Sequence, residues 1–418
     1  MESKNNIKNF DKLLENYAKL AIEIGVNVQK DEDVLIKAPV EFPLFVQKLV
    51  KASYERGANE VFVEYKDENL LKLKYLNEKQ NILNNVHDFE IEKLRYLYKE
   101  RKVNVINVVG EDPDIFKDID AKIIAQSNAK KSEKIKEFRK YTMNDIISWL
   151  VISIPTEKWA KKVFPNSKES VNDLWKEIFK TSRVDESYEK TKENWNKHIE
   201  NLNKRADFLN SKKFKRLIYT SENGTNLHVN LPKNHIWLSA GSKNEKGNYF
   251  IPNIPTEEVF SAPDKFGVNG KLVATKPLVY NGVVINDFYF EFKDGKVINS
   301  FAKENNDTLN EMLNMDENSK YLGEIALVPY NSPISLSNIL FFNTLFDENA
   351  SCHFALGEAY PTCVENGANL NSEELEKIGL NTSVIHEDFM VGNKDLNITA
   401  INENNEEITI FKDGIWAF

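Results

Sequence analysis

Cysteine is nearly absent: two residues, Cys352 and Cys363, in a chain of 418. So few thiols exclude a disulfide framework and most structural zinc sites, which draw on several cysteine thiolates. No window approaches the ~18 to 20 consecutive apolar residues of a membrane span. The opening stretch "MESKNNIKNFDKLLENYAKL" is polar and amphipathic and lacks an apolar signal core. Sequons such as Asn397-Ile398-Thr399 therefore carry no weight, and the expected location is cytoplasmic. Basic residues are outnumbered, 55 Lys and Arg against 64 Asp and Glu, for a net charge of −9. That balance argues against a nucleic-acid surface, which needs a basic stripe. The local cluster "KKSEKIKEFRK" alternates Lys with Glu and reads as a solvated helix face. Several motifs are also missing: no G-x-G-x-x-G follows a strand, and there is no phosphate-binding G-x-x-x-x-G-K-[ST], no H-E-x-x-H and no G-x-S-x-G elbow. Internal repeats and low-complexity tracts are absent too.

What is present describes a folded chain. Hydrophobic residues make up 41%, aromatics 11% and charges of mixed sign 28%, enough to bury about two or three domains. In the first half strands alternate with helices. Residues 9–28 read as an amphipathic helix. "EDVLIKAPV" then reads as a strand, "FPLFVQKLVKASYERGA" as a helix and "NEVFVEY" as a second strand. Leu44, Val46, Leu49, Val50 and Tyr54 form the apolar stripe of that second helix, and Gly57 closes it. "KVNVINVVG" and "SWLVISIP" are further strands, on either side of the helical "AKIIAQSNAKKSEKIKEFRKYTM". This alternation predicts an α/β N-terminal domain with a mostly parallel sheet covered on both faces. Residues 156–212 read as polar helix bridging the halves, with His198 on its solvated face. From residue 213 the texture is strand-rich, with hairpin turns expected at Asn223-Gly224, Asn281-Gly282, Asp294-Gly295 and Asp413-Gly414. The expected organisation is an α/β domain over 1–200 and an α+β, strand-rich C-terminal domain over 201–418.

Chemistry has few histidines to work with: His87, His198, His228, His235, His353 and His386. Four segments combine histidines and acids. "NIPTEEVFSAP" carries adjacent Glu257 and Glu258, although paired acids are commonly surface residues. "YLGEIALVPY" sets Glu324 in an apolar strand, where an acid is costly unless paired or metal-bound. "LFDENASCHFALGEAYP" (345–361) holds Glu348 and His353. Five residues along one helix would set these roughly 140° apart, so both reach one centre only if the helix breaks before His353. "NTSVIHEDFMVG" places His386 and Asp388 two apart, on the same face of a strand. The bland reading of His353 is a satisfied core histidine. Together the segments permit a metal site with two histidines and several carboxylates.

In this order and at these intervals, the four segments resemble the signature of the aminopeptidase T family, bacterial dinuclear metallo-aminopeptidases of the thermophilic and staphylococcal type. The resemblance spans most of the chain and is most specific over 253–392. It implies metal-ligand roles for Glu258, Glu324, Glu348, His353, His386 and Asp388, with Glu324 as the bridging carboxylate. It places Tyr360 beside the metals, in reach of an oxyanion. By analogy with other dinuclear aminopeptidases, Glu257 is the expected general base. The implied cofactors are two divalent ions, with imidazole and carboxylate ligands suiting Zn²⁺ and with Co²⁺, Mn²⁺ or Mg²⁺ as alternatives. The implied partners are peptides with a free N-terminus and a second copy of the chain in a homodimer, with neither nucleic acid nor membrane. Competing readings are an amidase or phosphatase using the same ions, and a non-catalytic protein stabilised by metal.

Overall fold

The computed structural model describes residues 6–418. Its first helix, Phe10–Leu20, buries Leu14, Tyr17, Ala18 and Leu20 and passes into a π-helical turn over Ala21–Gly25. It stops short of residue 28. Gly25 packs against the Leu150 side chain, where an added Cβ would sit 2.7 Å from a methyl group, and Asn27 takes a left-handed φ of 48°.

Four strands follow: β1 (Asp33–Pro39), β2 (Glu60–Lys66), β3 (Asn104–Val109) and β4 (Trp149–Ser153). All neighbours pair in parallel, in the order β2-β1-β3-β4. Central β1 is buried along most of its length, because side chains from both pleat faces meet covering structure, whereas edge strand β2 is largely open. The helix Pro43–Glu55 crosses from β1 to β2 and ends before Gly57, whose φ is +96°. Its buried stripe is Phe45, Val46, Leu49, Ala52 and Ser53, while Leu44 and Tyr54 face outward. This corrects the stripe expected from the sequence by about one residue: Phe45 stacks on Tyr17 of the first helix, ring centroids 5.2 Å apart, and that contact fixes the rotation. The helix Ala121–Met143 leaves its Lys/Glu run mostly exposed, as the alternation predicts.

A single helix, Tyr188–Lys212, runs through residue 200 and buries Trp195, Leu202, Ala206 and Leu209. One apolar core extends from Leu14 in the first helix to Phe411 near the C-terminus, so the two halves share an interior. His198 is corrected here. It is not solvated: its Nε2 donates to the Thr256 carbonyl at 2.7 Å and its ring meets Trp195 edge-on.

The C-terminal half is built on antiparallel sheets, the largest of nine strands among the described residues. The hairpins at Asn281-Gly282 and Asp294-Gly295 have positive φ at both turn residues, the geometry that matches strand twist. A smaller sheet carries Glu324, His353, His386 and Asp388. Its strands are β5 (Val259–Ser261), β6 (Leu322–Leu327), β7 (His353–Gly357) and β8 (His386–Met390), ordered β8-β7-β6-β5 and antiparallel throughout.

Candidate metal centre

Two-residue periodicity gives this small sheet two unlike faces. One face holds Ile325, Phe354, Leu356 and Phe389. Phe354 packs on Tyr219 at 5.1 Å, and Phe389 on Phe290 at the same distance. Across the other face runs a row set by register: Glu324 opposite Ala355, and Ala355 opposite Asp388. His353 lies two residues from Ala355, and His386 two from Asp388, so both imidazoles join that face. Ala355, fully buried, puts only a methyl between the flanking carboxylates.

Two more acids arrive from loops. Glu258 immediately precedes β5. Glu348 lies in a 3-10 turn, Glu348–Ala350, that follows the short helix Thr344–Asp347 and leads to β7. The helix therefore ends before His353, which is the condition the spacing of Glu348 and His353 demanded. Asp347, next door, serves the loop instead: its carboxylate accepts the N–H groups of Phe341 and Asn343 at 2.9 and 3.1 Å. Glu358 accepts the Ser383 N–H, and buried Cys352 donates to the Val328 carbonyl at 3.3 Å.

These side chains converge closely. His353 Nε2 lies 3.2 Å from Glu258 Oε2, and His386 Nε2 lies 2.9 Å from Glu324 Oε2 and 3.6 Å from Asp388 Oδ1. Two ligand-like clusters result, Glu258–Glu324–His353 and Glu324–His386–Asp388, each with its donor atoms within 4.8 Å of one another. Glu324 belongs to both. Glu348 lines the same cavity outside either cluster.

Each imidazole is oriented from behind. Nδ1 of His353 faces the Ser351 carbonyl at 3.2 Å, and Nδ1 of His386 faces that of Glu358 at 2.7 Å. Both rings thus turn Nε2 toward the centre, the arrangement that metal-bound histidines share.

The electrostatics are those of crowded acids. Burial alone would lower both histidines, but the hydrogen bond that His353 donates to Glu258 and the nearby carboxylates carry His353 up to about 10. Asp388 and Glu324 do the same for His386, also to about 10. Burial, then Asp388 and Glu258, push Glu348 well above the carboxylate range. Protons held on both imidazoles and on Glu348 are how this many buried acids accommodate one another. Asp388 Oδ1 is buried and has no hydrogen-bond partner among the described residues. An orphaned acceptor beside two imidazoles and a shared carboxylate is a donor set that fits divalent cations.

Tyr360 stands at the edge of this centre, its ring edge-on to His386 with centroids 5.0 Å apart. Burial and the charges of Glu324 and Asp388 hold its phenol well above the ordinary value, so it keeps its proton. Glu257 does not join the group. Its carboxylate is bound to Arg183 at 2.5 Å and sits 3.8 Å from His198, facing a different cavity from the one Glu258 lines. The base role expected of Glu257 is corrected on this geometry: its charge is already committed to a guanidinium.

Some contributors carried no sequence signal. Asp145 and Trp149, from the N-terminal half, wall the cavity. Asp145 accepts from Ser242 Oγ at 2.5 Å and from Trp149 Nε1 at 3.2 Å, joining the halves at the rim. Nothing in "NDIISWL" distinguishes these residues from ordinary core. Ala355 and Asn349 were equally silent.

The model of a family described as thermophilic metalloprotease (M29) matches residues 10–416. Among curated proteins, the chain is 43% identical to aminopeptidase AmpS of Bacillus subtilis (strain 168), over 98% of this chain and 99% of that protein. It is 40% identical to aminopeptidase 2 of Geobacillus stearothermophilus, over 98% of each. Among solved structures, wild-type AmpT from Thermus thermophilus superposes with a TM-score of 0.89 at 29% identity, covering 98% of this chain and all of that one.

Proposed function

The chain belongs to the thermophilic metalloprotease (M29) family and is a metallo-aminopeptidase, and we propose that the face of β6, β7 and β8 is its active centre. In this reading Glu258, Glu324, Glu348, His353, His386 and Asp388 hold two divalent ions, with Glu324 shared between them. The observation that carries it is the pair of ligand clusters joined through one carboxylate, with Asp388 Oδ1 left without a hydrogen bond among the described residues. Nitrogen and carboxylate donors suit Zn²⁺, with Co²⁺, Mn²⁺ or Mg²⁺ as alternatives. Ions bound there would acidify a water and polarise the scissile carbonyl.

The chain's own residues supply the rest. The carbonyls of Ser351 and Glu358 hold the two histidines in the tautomer that presents Nε2. The protonated phenol of Tyr360 donates a hydrogen bond to the oxyanion as it forms. Asp145 and Trp149 narrow the cavity from the N-terminal half, which suits a chain end over an internal peptide bond. Among the described residues no helix is long and apolar enough to cross a membrane. We read the protein as a cytoplasmic homodimer acting on peptides with a free N-terminus; light scattering after size exclusion tests the dimer.

Hydrolysis of leucine p-nitroanilide against its N-acetylated analogue tests the activity. The free amine substrate is cleaved and the blocked one is not. Thorough chelation abolishes turnover and Zn²⁺ or Co²⁺ restores it. Equal cleavage of the blocked analogue rejects the aminopeptidase, and activity that survives chelation rejects the metal centre.

A further inference from the structure

Glu258 and Glu348 reach the centre from loops that no strand pairing ties together, since β5 and β7 lie on opposite sides of β6. Between these loops sits Asn349, whose residue surface is wholly buried. Its Oδ1 accepts the backbone N–H of Glu257 at 2.6 Å, one residue before Glu258. Its Nδ2 donates to the Leu345 carbonyl at 2.9 Å and to Glu348 Oε1 at 3.2 Å, and reaches the Pro255 carbonyl at 3.5 Å. The amide cannot be turned over: an N–H faces its oxygen, and only oxygens face its nitrogen.

A buried amide is costly unless satisfied, and this one is satisfied by the two ligand-bearing loops. Glu257 is held a second time, at its carboxylate, by Arg183. The peptide leading into Glu258 is therefore fixed from both sides, with Asn349 as the link to Glu348.

We propose that Asn349 is a positioning residue, setting Glu258 and Glu348 in register for cation binding by gripping the backbone of one loop and the carboxylate of the other. The inference rests on the reading of those two acids as ligands.

Asn349→Asp keeps the oxygen that faces Glu257 N–H and replaces the donor that faces Glu348 with another oxygen. The measurement is Zn²⁺ affinity of the full chain, by competition with a chromophoric chelator, beside circular dichroism of the metal-free protein. The expected loss is about 10- to 100-fold in affinity, the range for residues that orient ligands, with an unchanged metal-free spectrum and activity recovered in excess Zn²⁺. In a Glu348→Gln background the same change costs several-fold less, because the new amide can donate to the new oxygen, while the bond to the Leu345 carbonyl is lost in both backgrounds. Wild-type affinity in Asn349→Asp overturns the inference, as does an undiminished loss in the Glu348→Gln background. Wild-type affinity in Glu348→Gln alone overturns the ligand reading of Glu348 instead. If Asn349→Asp lacks the native spectrum, Asn349→Ser goes through the same cycle under the same criteria.

Discussion

Two four-stranded sheets divide the work of this molecule. In the parallel sheet, β1 is clad on both faces, and its residues Val34, Leu35 and Ile36 are all fully buried. In the antiparallel sheet of β5 to β8, one face is mostly apolar, with Glu387 opposite Leu356 and Ser261 opposite Ile325, while the other gathers carboxylates and imidazoles out of water. Burying that second face costs free energy unless something cancels its charge. A buried apolar face needs only packing. The parallel sheet thus stores stability, and the small sheet spends it on a charged cavity.

The largest expected effect breaks the centre where its two halves meet. Glu324→Gln keeps the volume and removes the shared charge, so activity should fall by more than about 100-fold, beyond what residues behind the ligands contribute. Metal content, measured by mass spectrometry or atomic absorption, should fall with it while the circular dichroism spectrum holds. A variant that retains its metals and turns over normally removes Glu324 from the centre.

The mirror experiment is Ile36→Ala in β1. It deletes fully buried methyl groups from the parallel sheet and should cost ~2 to 5 kcal/mol in urea unfolding. At a temperature where the variant stays folded, turnover and metal content should match the parent. Loss of both at wild-type stability would show that the sheets are not separable in this way.

Ala355→Val sharpens the contrast inside the small sheet. The row Glu324–Ala355–Asp388 has a single methyl as its middle side chain. Branching there crowds both carboxylates, so metal affinity should drop by about 10-fold or more, with an overpacking cost of ~1 to 3 kcal/mol. Undiminished affinity would mean the row has slack that its burial does not suggest.

Much of this was legible in the sequence, for reasons that differ by residue. The parallel strands announced themselves as short apolar runs, and the hairpins through Asn-Gly and Asp-Gly pairs. His386 and Asp388 could be placed on one face by their spacing alone. His353 could not, because its role depends on a helix ending within five residues of Glu348, and the acids and the imidazole of "LFDENASCH" read equally well as one helix end. Glu257 misled because adjacent acids look interchangeable, yet successive side chains diverge, and Arg183, 74 residues away, claims one of them. His198 misled for the same reason: its helix is polar in composition, and only the Thr256 carbonyl and Trp195 show that its side faces inward.

That histidine supports the subtlest test. Burial pushes the imidazoles of His198, His353 and His386 down, but His353 and His386 face carboxylates that lift them to about 10. His198 faces Glu257, whose charge Arg183 already answers, and burial with Arg183 beside it lowers it to about 3. It is neutral in the folded protein and takes a proton on unfolding below its ordinary value near 6.5. The unfolded state then binds more protons, so stability is complete above about pH 6.5 and declines as pH falls toward 3. His198→Gln keeps a donor for the Thr256 carbonyl and has no charge to acquire. Its urea midpoint should decline less between pH 6.5 and pH 4 than that of the parent, while at pH 8 the two differ little. Parallel declines in parent and variant would mean that His198 does not carry the acid sensitivity, and that Arg183 and Glu257 do not shield it from protonation as their 2.5 Å contact implies.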